Sequence, residues 1–297
     1  MAEAVSGATA LPRVRQAHTH QYVLRRRLGR GLLYLALLSG SILFSVPFFW
    51  LLTTSLKATR QIISYPPVWI PNPVAWRNYP DVFRYAPFGL YFRNTLFIVG
   101  FNMVGAVITC SLVAYAFARL QAPGRELLFG ILLATMMLPG WVTLVPLYIV
   151  YSKLNWINTF LPLIVPPLFG SAFFIFMMRQ FFRGLPAELE DAALMDGCSY
   201  VGIWWRIILP LSGPVLATAA IFSFMGAWND LIGPLIFLNS RNKYTLAIGL
   251  QAFVTEHGAE WGLLMAASTM MILPIIVVFF FMQKQFVQGI TLTGIKG

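Results

Sequence analysis

The chain has 297 residues, 58% of them hydrophobic and only 10% charged, with 21 Lys and Arg against 10 Asp and Glu. A soluble chain carries about 25% charged residues to keep its surface wet, so this composition excludes a soluble globular protein and points to an integral membrane one. The surplus of +11 flanks apolar runs instead of forming a groove-sized patch, which suits anionic lipid headgroups and argues against nucleic acid as a partner.

Residues 1–30 read as a cytoplasmic N-terminal tail. They lack the apolar core of a secretory signal, so no cleavage is expected. Six apolar runs then follow, each long enough to span a bilayer. The first is GLLYLALLSGSILFSVPFFWLLTTSL from Gly31 and the second NTLFIVGFNMVGAVITCSLVAYAFA from Asn94. The third is LLFGILLATMMLPGWVTLVPLYIVY from Leu127 and the fourth INTFLPLIVPPLFGSAFFIFMM from Ile157. The fifth is PVLATAAIFSFMGAWNDLIGPLIFL from Pro214 and the sixth WGLLMAASTMMILPIIVVFFFM from Trp261. The expected architecture is therefore all-α, a six-helix transmembrane bundle.

Lys and Arg set the orientation. With the N-terminus inside, the inner segments hold 13 of the 21 basic residues, and Arg25, Arg26, Arg27 and Arg30 stand just before the first run. Both termini are then cytoplasmic. Pro47, Pro139, Pro146, Pro162, Pro166, Pro167, Pro234 and Pro274 interrupt the runs, and small residues such as Gly105, Ala219 and Ala266 permit close approach. Such helices belong in a packed bundle whose neighbours satisfy the freed carbonyls. The outer loop 57–93 is rich in proline and aromatics and is placed at the outer interface.

Cys110 and Cys198 are too separate for a metal cluster, and no disulfide is read from them. His18, His20 and His257 all lie outside the apolar runs. No catalytic residue and no metal ligand is assigned.

The inner stretch 179–210 is far longer than the connections usual between packed helices. Inside it, ELEDAALMDG gathers Glu188, Glu190, Asp191 and Asp196, four of the ten acids in the chain. Pro186 suits the start of a helix, and acids in its first turn suit the helix dipole. Gly197 suits a left-handed end. On this reading Leu185, Leu189, Ala192 and Ala193 share one face, with Glu188, Glu190 and Asp191 mainly off it. Clustered carboxylates can serve acid–base catalysis, but only in a cleft, and nothing here supplies one. A solvated helix without a role is the plainer alternative. A docking helix for a cytoplasmic partner accounts best for a short helix that gains little stability alone. Beyond it, Trp204, Trp205 and Arg206 read as an interfacial belt and Pro210 as the bend into the fifth run.

DAALMDGCSYVGIWWRIILP resembles the cytoplasmic signature of bacterial ABC importer permeases, a pattern of Glu-Ala-Ala, three residues, Gly, nine residues and Ile-x-Leu-Pro. Asp191, Ala192, Ala193, Gly197, Ile207, Leu209 and Pro210 match it in order and spacing. Asp191 stands where the pattern has Glu, with Glu190 just before it, so either carboxylate can take that role. FMGAWNDLIGPLIFL and the tail GITLTGIKG are similar to the carbohydrate-uptake branch, the maltose and glycerol-3-phosphate type.

That resemblance implies a type I importer permease in a bacterial inner membrane, with the signature as a coupling helix gripped by an ATPase subunit. Its ATPase-coupling residues would be Glu188, Glu190, Asp191, Ala192, Ala193, Asp196, Gly197, Ile207, Leu209 and Pro210. It implies a homologous second permease, two cytoplasmic ATPase subunits that bind ATP and Mg, and an extracytoplasmic solute-binding protein that delivers a sugar. This chain has no GxxxxGK[ST] sequence and carries no cofactor on this reading. The divisions expected are a tail 1–30, a first span and outer loop 31–88, an importer core 89–284 containing the coupling loop 179–210, and a cytoplasmic tail 285–297.

Within the fifth run, Trp228, Asn229 and Asp230 are candidates for the substrate path. A carboxylate in a span usually faces a cavity or a partner, and an indole beside an amide suits a sugar. A structural hydrogen-bond cluster is the equal alternative. A permease for glycerol-3-phosphate or another small polar solute remains open. A membrane-embedded enzyme fits less well, because the runs supply one acid and no His.

Overall fold

The computed structural model describes the backbone of residues 14–255 and 258–294 and the side chains of residues 27–254 and 259–283. Residues 1–13, His257 and the last three residues lie outside the described residues, as do the side chains of His18, His20 and most of the C-terminal tail. The chain divides into two units, residues 1–53 and 54–297. The first is one continuous helix, α1 (Val14–Ser55), with Pro47 inside it. Its described apolar stretch, Arg27–Ser55, is 29 residues long, enough to cross a bilayer.

The second unit is a helical bundle. Two short outer helices, α2 (Thr59–Ile62) and α3 (Asn78–Tyr85), lead to α4 (Phe88–Val104), a π turn over Gly105–Thr109 and α5 (Cys110–Arg119). Helices α4 and α5 form a single 32-residue span around that turn. The third apolar run is broken: α6 (Arg125–Thr135) and α7 (Gly140–Lys153) meet at 97° across Pro139. Next come α8 (Leu161–Leu168) and α9 (Ala172–Arg183), parted at Gly170, whose φ of +96° favours glycine.

The stretch 184–211 holds α10 (Glu188–Met195), α11 (Tyr200–Ile203), a π turn over Trp204–Ile208 and the one-turn α12 (Leu209–Leu211). Pro210 sits in that last turn, and residues 200–211 meet α13 (Gly213–Trp228) at 84°. The fifth helix therefore starts at the bend expected at Pro210 but stops at Trp228, not at Leu238. The chain turns at Asn229 and restarts as α14 (Ile232–Phe237), because the Asp230 carboxylate accepts the Gly233 N–H at 3.0 Å and caps the new helix. After α15 (Leu246–Gly249), a two-rung antiparallel pairing of Val254 with Ala259 and Thr255 with Gly258 leads into α16 (Trp261–Gly294). That helix runs on through 285–294. Among the described residues, four helices are long and apolar enough to cross a membrane, or up to six when each bent pair counts as one span.

Apolar side chains collect in three clusters. One joins Tyr91, Phe224, Trp228, Phe253, Ala266 and Ala267. Another, beside α10 and α11, joins Tyr115, Met178, Phe182, Ile203, Trp204 and Ala219. A third joins Ile98, Tyr151, Leu163 and Phe237. Trp204 thus belongs to the core, where its Nε1 donates to Ser111 Oγ at 3.3 Å, while Trp205 and Arg206 of the expected belt are exposed.

Candidate functional site

Helix α10 is short and has no side-chain cap at Ala187, yet three acids occupy its first turn, where the dipole favours them. Its far end is closed by backbone alone. Gly197 N–H donates to Leu194 O at 3.0 Å, and Cys198 N–H donates to Ala193 O at 2.9 Å. That pair of bonds is a Schellman motif, and it requires the left-handed conformation that Gly197 adopts at φ +78°.

The buried face of α10 differs from the one expected. Only Glu190 and Ala193 turn inward, while Leu189 and Ala192 lie exposed with Glu188, Asp191 and Asp196. The cause is electrostatic. Glu190 Oε1 lies 2.9 Å from Arg119 Nε at the end of α5, and Glu190 Oε2 accepts from the Tyr115 hydroxyl at 3.5 Å. The ion pair is off the N–H axis, so it is a charge contact without a hydrogen bond. Burial pushes the Glu190 carboxyl above the usual carboxylate range, with Arg119 and the Tyr115 hydroxyl pulling the other way.

The two acids that sequence could not separate are therefore in different places. Glu190 is engaged within its own chain, and Asp191 is the one left outside. Asp191, Ala192, Glu188 and Asp196 present a surface of carboxylates around small and apolar side chains. Of the remaining signature positions, Ile207 and Leu209 are half-buried against the cluster around Trp204, and Pro210 is exposed at the bend.

The candidate path residues are rearranged more strongly. Trp228 is 1% exposed, stacked on Phe224, edge-on to Phe92, and its Nε1 donates to Met271 O at 3.1 Å. An indole so enclosed offers no face to a solute, and its place on the path is withdrawn. Asn229 is exposed but donates back to Met225 O, and Asp230 is occupied with the α14 cap. A cleft within the bundle lies about one turn earlier, mainly apolar but with Asn102, Ser171 and Ser223 beside Phe174, Gly226 and Ala227 in its lining, and with a volume of about 260 Å³. Sequence reading missed it because its hydroxyls and amide are scattered over α4, α9 and α13. The available signal was the Ser223 hydroxyl with the small Gly226 and Ala227 one turn later on a largely apolar helix.

The profile of the family described as "binding-protein-dependent transport system inner membrane component" matches residues 107–292. The chain is 36% identical to an arabinooligosaccharides transport system permease protein of Halalkalibacterium halodurans, over 76% of this chain and 81% of that one. It is 31% identical to a sulfoquinovosyl glycerol transport system permease protein of Agrobacterium fabrum, over 84% of this chain and 88% of that one. Its fold matches a chain of a bacterial ABC transporter that imports the acidic polysaccharide alginate, with a TM-score of 0.78 and 23% identity over 87% of this chain and 96% of that one. The chain is thus a membrane-spanning permease subunit, a transport component and not an enzyme, and it belongs to the family of binding-protein-dependent transport system inner membrane components.

Proposed function

We propose that this permease imports a carbohydrate, handed over by an external solute-binding protein, and that α10 is the surface on which an ATPase subunit docks. The observation that carries the reading is α10 itself. It is a solvent-facing helix of eight residues whose outer carboxylates and alanine are free, while its inner acid ties it to the bundle. A docking element needs both an open face and a firm root. ATP and Mg belong to two such ATPase subunits, and a homologous second permease completes the path. The chain sits in the bacterial inner membrane with both termini in the cytoplasm, as the basic residues before the first apolar run favour.

A sugar suits the cleft between α4, α9 and α13. Hydroxyl and amide groups at Ser171, Ser223 and Asn102 match sugar hydroxyls, and Phe174 supplies an apolar face for C–H groups. The sugar names carried by the permeases similar in sequence support the same class. The reading is tested by expressing the chain with its neighbouring importer genes and purifying it by a tag on this subunit. Co-elution of an ATPase subunit, and ATP-dependent uptake of a sugar presented on the binding protein, are expected. Uptake of glycerol-3-phosphate in place of any sugar would overturn the substrate class, and absence of the ATPase subunit would overturn the docking role.

A further inference from the structure

The ends of α5 and α9 are joined by two arginines that cross in opposite directions. The helices run side by side and parallel. Ser171 N–H, at the start of α9, donates to Cys110 Sγ at the start of α5, and Arg179 Nε, near the end of α9, donates to Phe117 O near the end of α5 at 3.1 Å. From the other side, Arg119 at the end of α5 donates through Nη2 to Phe182 O and Leu185 O at the end of α9. Two parallel helices bring their negative C-terminal ends together, which is unfavourable unless cations sit there. Each helix supplies the cation that satisfies the other.

Arg119 does one thing more. The same guanidinium meets Glu190 of α10, so a single planar group touches α9, the loop after it and α10. It is 14% exposed and Glu190 10%, so the contact is shielded from the solvent that weakens surface pairs. Without it, α10 is held to the bundle chiefly by Ala193 and the Tyr115 hydroxyl. An eight-residue helix so held is marginal.

We propose that Arg119 is a positioning residue which, with Glu190, locks α10 to the paired ends of α5 and α9, so that force applied to α10 is delivered to that helix pair. The inference rests on the docking role of α10 given above. Arg179 is a second brace on the same pair. Its Nη2 also reaches both carboxylate oxygens of Glu126 at 3.1 Å, and its Cζ stands 3.9 Å from the centre of the Phe129 ring, so α6 is held to the pair as well.

The test measures hydrogen exchange on the full chain in lipid nanodiscs and the number of solute molecules moved per ATP in the reconstituted importer. Arg119→Met is expected to raise exchange over 188–198 about tenfold while leaving α13 unchanged. In the assembled importer it is expected to lower solute moved per ATP about fivefold. Arg119→Lys should recover only part of either effect, because an ammonium cannot span three oxygens as a guanidinium does. Unchanged exchange over 188–198, or an unchanged solute-to-ATP ratio, would overturn the proposal. Should Arg119→Met loosen α13 too, Glu190→Gln decides: a rise confined to 188–198 supports the lock, and none refutes it. Failure of the wild-type chain to retain an ATPase subunit would refute docking alone, since the exchange measurement needs no partner.

Discussion

A Cβ added to Gly105 would lie 2.2 Å from the carbonyl oxygen of Pro167. The π turn at Gly105–Thr109 and the end of α8 therefore touch backbone to backbone, which only glycine allows. The contact fixes the crossing of two spans beside the cleft. Gly105→Ala must push a backbone carbonyl away, not a flexible side chain. Overpacking of this kind costs about 1–3 kcal/mol, so the purified variant should unfold at a visibly lower temperature. A wild-type melting temperature would show that the crossing relaxes at no cost.

Gly197 separates strain from docking. No heavy atom lies within 4 Å of the Cβ it lacks, so a side chain there meets open space and only the left-handed backbone resists it. Gly197→Ala should cost about 1–2 kcal/mol of local stability. Gly197→Trp should add a large obstacle on the outer side of α10, leaving the chain in the membrane but without its ATPase subunit. Co-purification of an active complex with Gly197→Trp would sink the docking role of α10.

Much of this was legible in sequence because the signals are local. Apolar runs give the spans, proline and glycine give the breaks, and a run of acids ending in glycine gives α10. What could not be read depends on residues about sixty or more positions apart. Arg119 and Arg179 counted only as inside charges, since nothing in the sequence pairs position 119 with the carbonyl of 182 or the acid of 190. Trp228 was misplaced for a related reason. Its neighbours Asn229 and Asp230 are polar, but its ring stacks on Phe224 one turn earlier and meets Phe92 and Met271 on other helices. The cleft escaped because three helices contribute its polar groups, with no more than a few from each.

Trp228 and Asp230 now give opposite expectations. Removing the Trp228 ring leaves a core cavity, so Trp228→Ala should cost about 3–5 kcal/mol and lower the amount of folded protein. Asp230→Ala loses the cap to Gly233 N–H, a cost of about 1 kcal/mol. Asp230→Asn keeps an acceptor at the same place and should transport nearly as well as wild type. A stable Asp230→Asn protein with strongly reduced uptake would return Asp230 to the solute path.

Ser223 is the more informative position for transport. Its side chain lines the cleft on α13, one turn before Ala227. Ser223→Ala removes a hydroxyl with almost no change in volume, so folding should be preserved. Loss of one hydrogen bond to a sugar hydroxyl is worth about 0.5–1.5 kcal/mol, which predicts a several-fold lower uptake at limiting solute. Uptake equal to wild type at every solute concentration would remove the cleft from the path.

The raised carboxyl of Glu190 makes a prediction about pH. Its ordinary value is 4.5, and burial beside Asp191 raises it in the folded chain, against the pull of Arg119 and Tyr115. In the window from 4.5 up to the raised value, the folded state holds more protons at this site than the unfolded state. Stability contributed by this group therefore falls as pH rises through that window and is level above it. Glu190→Gln cannot titrate, so its melting temperature minus that of wild type should rise with pH across the window and then flatten. A difference that falls with pH would mean that the Arg119 charge outweighs burial. The ion pair would then stabilise α10 as well as position it, a stronger root than buried pairs usually provide.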